Sequence, residues 1–238
     1  MYCPMPMAVG SEVNLPAHAA HHAGRVLRLR KDDEVVLFNG GGGEFVARLA
    51  RLERSIVVAS VVERIAIERE SPLATTLVQG VASSDRMDFA IQKAIELGVS
   101  EIQPVTTARS VVHLTDERAS VRLEHWRQMA IATCEQCGRN RLPAIHRVRS
   151  YPEWLANGPH AALRLLFVPE AGETLADIAP SASIELLIGP EGGFASDELQ
   201  AAFSAGFRAL HLGPRILRVE TAGPAALAAM NALWGDAR

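Results

Sequence analysis

The sequence predicts an α/β protein in two parts, a small β-barrel over residues 1–70 and a larger parallel α/β domain over residues 71–238. Three observations predict it. The first seventy residues carry short alternating strands broken by turn residues, the pattern of a small barrel. From Glu70-Ser71-Pro72 onward, strand-like and helix-like stretches alternate, the pattern of a parallel sheet with covering helices. The later strands are near-continuous apolar runs, as strands buried on both faces are.

In order, GRVLRLR (24–30) alternates and reads as a strand, KDDE turns, and VVLFNG is a second strand. Gly40 to Gly43 read as a hairpin tip; they are not followed by a helix that could offer its N-terminus to a phosphate. FVARLARLE returns, and SIVVASVVERIAIERE supplies further β-branched strands. LATTLVQG (73–80) opens the second part. Asp85 to Leu97 then places Met87, Ala90, Ile91, Ala94 and Ile95 on one helical face, with Gly98 as the stop. EIQPVTT is a strand, and Arg122 to Cys137 a helix turning Leu123, Trp126, Ala130, Thr133 and Cys137 inward before Gly138. LRLLFVPE, IELLIGPE and FRALHLG are three more buried strands. Ser196 is expected to cap a short helix and Thr221 the last one, with Pro224 in its first turn. No stretch is long or polar enough to link independently moving domains.

Composition narrows the function. The chain has 238 residues and a net charge of −3, so it is no blanket binder of polyanions. Of its 24 basic residues only Lys31 and Lys93 are lysines, and residues 118–150 gather seven arginines against two glutamates. Arginine's planar fork suits phosphate and base edges, and one basic face suffices for nucleic acid; a solvated charged helix explains the same run. No apolar run approaches 18 residues and no signal-like N-terminus is seen, which gives a cytoplasmic expectation. Cys3, Cys134 and Cys137 offer no disulfide framework. Cys134 and Cys137 have CxxC spacing but lack a second ligand pair, and His18, His21 and His22 lack partnering carboxylates, so no metal site is expected.

The chemistry lies in loops. A buried strand runs into Gly189-Pro190-Glu191-Gly192-Gly193, and about twenty residues on another runs into Leu212-Gly213-Pro214. Glycine lets a ligand approach the main chain, and ligands of open α/β sheets sit at strand carboxyl ends. No GxSxG, P-loop or Rossmann fingerprint is present. Loops of backbone suit a nucleoside cofactor, and Arg or Glu beside them suit a polar second substrate.

Several segments carry a resemblance: Asp85-Arg86-Met87-Asp88; Gln92 to Val99; Glu135-Gln136-Cys137-Gly138-Arg139; Ile188 to Phe194; and Leu212 to Ala222. In this order they resemble the RsmE-type ribosomal RNA small-subunit methyltransferase family of the SPOUT superfamily, over nearly the whole chain. The resemblance implies a PUA-like barrel, an α/β domain tied at its C-terminal part in a trefoil knot, a homodimer, and S-adenosylmethionine as cofactor. The implied reaction methylates N3 of one uridine in 16S rRNA, at the decoding region of the small ribosomal subunit. It places the cofactor against Val168, Pro169 and Glu170, against Ile188, Gly189, Pro190, Glu191, Gly192 and Gly193, and against Leu212, Gly213, Ile216, Leu217, Thr221 and Ala222. Arg139 and Arg218 are expected to hold phosphate or the uracil oxygens, and Glu135 or Glu220, unless solvent serves, to accept the N3 proton. Expected RNA contacts are Arg25, Arg28, Arg30, Arg86 and Arg141. A methyl sulfonium is already an activated electrophile, so the transfer needs no metal. The chain opens Met1-Tyr2-Cys3-Pro4 without the basic, aromatic first strand usual in the family. A SPOUT ribose 2′-O-methyltransferase and a non-catalytic RNA-binding assembly factor are the competing readings.

Overall fold

The computed structural model describes residues 1–238 apart from 54, 55, 113, 114, 158–160, 170, 171 and 238. The chain forms two compact units, Met1–Glu70 with Cys134–Leu142, and Ser71–Thr133 with Pro143–Arg238.

The first unit holds β1 (Glu12–Asn14), α1 (Ala17–His21), β2 (Glu34–Leu37), β3 (Glu44–Leu52) and β4 (Val57–Ile65). The strands make an antiparallel sheet in the order β1-β4-β3-β2. Leu37, Ala47, Leu49 and Ala59 point from it into a core that is closed by Ala19 and Ala23. Those two alanines explain a correction. GRVLRLR is not a strand: His22–Val26 forms a π-helical turn continuing α1. Ala19 and Ala23 are buried while His21 between them is exposed, which fits helical spacing and not strand alternation, and the apparent alternation leaves Val26 and Leu27 exposed. Gly40 to Gly43 turn the chain between β2 and β3; Gly42, at φ +95°, has no room for a Cβ against Arg141 and Glu68.

The second unit holds β5 (Ala74–Gly80), α2 (Ser84–Glu96), β6 (Glu101–Thr106), α3 (Asp116–Cys137, its last turn counted with the first unit), β7 (Ala144–Ile145), β8 (Arg149–Ser150), α4 (Tyr151–Asn157), β9 (Leu163–Phe167), β10 (Ser183–Ile188), α5 (Ser196–Ser204), β11 (Arg208–Leu210) and α6 (Val219–Trp234). Its sheet runs β11-β9-β10-β5-β6-β7, with β8 also on β6, and every pairing is parallel. Leu77, Leu165 and Leu186 are fully buried within it, the consequence of helices covering a parallel sheet. On α2 the buried residues are Met87, Ala90, Ile91, Ala94 and Ile95, and Gly98 takes φ +82° just beyond.

Three helix expectations need correcting. α3 begins at Asp116, six residues before Arg122, with Asp116 and Glu117 in the first turn favouring the helix dipole. Its buried side chains are Trp126, Ala130, Thr133 and Cys134; Leu123 and Cys137 are half-buried. Ala195, not Ser196, is the N-cap of α5, because Glu198 reaches back to the Ala195 amide at 2.9 Å and replaces a capping hydroxyl. α6 starts two residues before Thr221, with Arg218 at its N-cap and Pro224 in the second turn; burying Val219 against the core draws the chain into helix early. No helix among the described residues is long and apolar enough to cross a membrane.

Candidate cofactor and substrate site

A cavity of about 450 Å³ opens at the carboxyl ends of β9 and β10 and beside the start of α6. Phe167, Val168 and Pro169 form one wall. Ile188 to Glu191, Gly193 and Phe194 form a second, Ile216 to Val219 with Ala222 a third, and Leu199 and Arg86 complete it. This size and mostly apolar lining suit a small organic cofactor.

Close packing explains the glycines. A Cβ on Gly80, the last residue of β5, would lie 2.5 Å from the Pro190 nitrogen and 2.8 Å from the Gly189 carbonyl carbon. A Cβ on Gly189 would meet the Phe194 ring at 3.0 Å, and one on Gly192 the Arg109 carbonyl oxygen at 2.9 Å. Gly193 takes φ +66° and donates its N–H to the Pro190 carbonyl at 2.8 Å, closing a tight turn. Positive φ at this step is what only glycine accepts cheaply.

Charge at the wall is organised by Arg86. Its Nη1 donates to Glu191 Oε1 at 3.2 Å, and its Nε lies 3.9 Å from Glu220 Oε2. The Ser83 amide donates to the same Glu191 oxygen at 3.0 Å. Burial alone would raise the Glu191 pKa, but hydrogen bonds from Ser83 and the Arg86 charge more than offset it, and the carboxyl sits below its ordinary value.

Of the residues expected at the cofactor, Val168, Pro169, Ile188, Gly189, Pro190, Glu191, Gly193, Ile216, Leu217 and Ala222 line this cavity. Gly192 stands behind the wall against Arg109, and Leu212, Gly213 and Thr221 are not on it. Glu170 lies outside the described residues. Arg218 lines the cavity and Glu220 faces Arg86. The other two expected catalytic groups belong to the first unit. Arg139, 4% exposed, directs Nε and Nη2 at Glu70, and Glu135 accepts the Tyr2 amide at 2.7 Å. Both make bonds that hold that unit together. Arg25, Arg28 and Arg30 are exposed, Arg141 is paired with Glu68 at 2.8 Å, and Arg86 is a wall residue paired with Glu191.

Sequence reasoning missed Gly80, Phe167, Phe194, Leu199 and Val219 as site residues. Phe194 carried a signal in its place at the end of the glycine loop, and Val219 in its place within the resembling Leu212 to Ala222 segment. The CxxC pair is free, and burial pushes the Cys134 thiol up to about 12. Among the described residues no group of three His, Cys, Asp or Glu could hold a metal ion.

Comparison with known proteins places the chain. Residues 69–231 match the model of an RNA methyltransferase domain and residues 15–62 that of an RNA methyltransferase PUA domain. The chain is 33% identical to the ribosomal RNA small subunit methyltransferase E of Buchnera aphidicola subsp. Acyrthosiphon pisum, over 91% of this chain and 86% of that one. It is 43% identical to the ribosomal RNA small subunit methyltransferase E of Neisseria gonorrhoeae, solved bound to S-adenosylmethionine, with a TM-score of 0.93 over 100% of this chain and 98% of that one. A Legionella pneumophila protein in complex with the same cofactor gives a TM-score of 0.94 at 34% identity, over 99% and 97% of the two chains.

Proposed function

The chain belongs to the ribosomal RNA small subunit methyltransferase E family, and from that premise we propose that it transfers a methyl group from S-adenosylmethionine to N3 of one uridine in 16S rRNA. The observation that carries this is the cavity itself, walled by the loops after β9, β10 and β11 and closed around a glycine turn. Its volume, its apolar walls and the backbone left accessible at Gly189 and Gly193 fit a nucleoside joined to a methionine chain. Bound there, S-adenosylmethionine supplies a methyl group already activated on a sulfonium.

The protein's own work is to hold and to polarise. Phe167, Ile188 and Leu199 exclude water from one side of the cavity. Arg86 holds Glu191 and approaches Glu220, keeping two carboxylates at the wall without leaving them uncompensated. Uracil N3 attacks only after losing its proton, and the charge then spreads to O2 and O4. Arg218, exposed on the wall, is the donor we assign to that charge. The N3 proton passes to Glu220 or to solvent; a Glu220→Gln protein that keeps its rate assigns it to solvent. Arg139 and Glu135 enter this reading as the braces of the first unit. The RNA grip falls to Arg25, Arg28 and Arg30 on the exposed turn after α1.

The finer fold belongs to the same proposal: a PUA-like barrel built on the β1-β4-β3-β2 sheet, and a C-terminal trefoil knot. The loops after β10 and β11 enclosing one cavity support the knot. A homodimer in the cytoplasm belongs to the proposal as well, and Ile216, 74% exposed at the cavity, offers apolar surface for the dimer. Nucleoside mass spectrometry of 16S rRNA from a strain lacking the gene tests the function. We expect 3-methyluridine to vanish and to return when purified protein and S-adenosylmethionine are added to the subunits. Its persistence in the deletion strain sinks the proposal.

A further inference from the structure

The glycine turn of the cavity has little to hold it in place from within. Besides the Gly193-to-Pro190 bond and the hold of Ser83 and Arg86 on Glu191, its far end is fixed from outside by a buried acid that is not on the cavity wall. Glu198, on the first turn of α5, is 7% exposed. Its Oε2 accepts the Ala195 amide at 2.9 Å, immediately after the glycine loop. Its Oε1 accepts the Ala108 amide at 2.8 Å, in the turn that follows β6. That turn is closed by its own bonds between Thr107 and Ser110. Its Arg109 leans on Gly192, donating from Nη1 to the Gly192 carbonyl at 3.3 Å. The next residue on α5, Leu199, is itself a cavity wall.

We propose that Glu198 is the positioning residue of the methyl-donor pocket: its two carboxylate oxygens tie the 107–110 turn to the end of the glycine loop and so set how far that loop stands from the cofactor. The inference rests on the S-adenosylmethionine reading above. A carboxylate is suited to the task because it accepts two N–H bonds at once and charge strengthens both. A glutamine offers one acceptor oxygen and turns an N–H₂ donor toward the other amide.

Isothermal titration of folded protein with S-adenosylmethionine tests it, with melting curves in parallel. Glu198→Gln is expected to raise Kd about tenfold or more, and in turnover to raise KM for S-adenosylmethionine while KM for the subunit substrate stays within about twofold. Ala108→Pro removes the donor at the other end of the bond and carries the test where Glu198→Gln does not fold; it is expected to weaken the cofactor likewise. Tyr151→Phe is the control. It deletes the phenol that donates to the Glu198 carbonyl at 3.0 Å and leaves the carboxylate alone, so melting should fall with Kd unchanged. A wild-type Kd in the folded Glu198→Gln and Ala108→Pro proteins overturns the inference, as does an equal rise in Tyr151→Phe, which makes the effect general loosening. Wild-type protein that binds no S-adenosylmethionine fails the earlier reading instead, and takes this one with it.

Discussion

Replacing Gly80 with alanine tests how tightly the cavity is built. The added Cβ would lie 2.5 Å from the Pro190 nitrogen, 2.7 Å from Pro190 Cδ and 2.8 Å from the Gly189 carbonyl carbon. Ordinary contact between such atoms needs about 3.5 Å, so the loop must retreat by roughly 1 Å. None of these atoms is the far end of a flexible side chain. Overpacking of a well-filled interior costs roughly 1–3 kcal/mol. The loop that must move is also a wall of the cavity, so the cost falls on ligand binding as well as on stability. At about 1.4 kcal/mol per tenfold, S-adenosylmethionine affinity should drop roughly tenfold to a hundredfold. The assay is calorimetric titration, with thermal melting beside it. Gly24→Ala is the control, since a Cβ there meets nothing within 4 Å. A Gly80→Ala protein that binds and melts like wild type would refute the claim that strand end and loop are in contact.

Three further outcomes are expected. Gly193→Val should weaken the cofactor by roughly 1–2 kcal/mol through backbone strain alone, because φ is +66° and open space surrounds the Cβ position; unchanged affinity in titration would show that the turn relaxes freely. Arg139→Ala should lower the urea midpoint of the protein, at about 2 kcal/mol, by stranding Glu70, while cofactor affinity stays at the wild-type value; a protein as stable as wild type contradicts the bracing role. Glu191 has a folded pKa below its ordinary 4.5. Its ionised form therefore stabilises the fold fully at neutral pH, and the benefit is lost as pH falls below about 4.5 through the folded value. Glu191→Gln should narrow the melting difference from wild type across that window, and a constant difference from pH 7 to pH 3 would reject the assignment.

The glycine loops, the α2 stripe and the three late strands were legible because each is a local signal. Met87 to Ile95 needs only helical spacing, and GPEGG only the run of a strand into glycine. What was not legible depends on partners far along the chain. Gly80 looked like any strand terminus until Pro190, more than a hundred residues later, was found against it. Arg86 carried a charge plain in the sequence, but its partners Glu191 and Glu220 lie more than a hundred residues away. Arg139 sat in a resembling motif, yet Glu70 decides where its guanidinium points. The turn after α1 misled for the opposite reason: its local alternation was real, and the pull of Ala19 and Ala23 into the core overrode it.

The first unit is written in two pieces of chain, and synthesis must respect that. Its opening seventy residues leave the ribosome before Cys134–Leu142 exists. Until then the Tyr2 amide waits for Glu135, the Ile67 carbonyl for the Asn140 amide group, and Glu68 and Glu70 for their arginines. The N-terminal part thus cannot mature on its first seventy residues alone, as leading domains commonly do. It closes only after residues 71–133 have been made. A gene cut at residue 70 would express a sheet with acids facing no partner, and any graft of this module must carry the 134–142 segment with it.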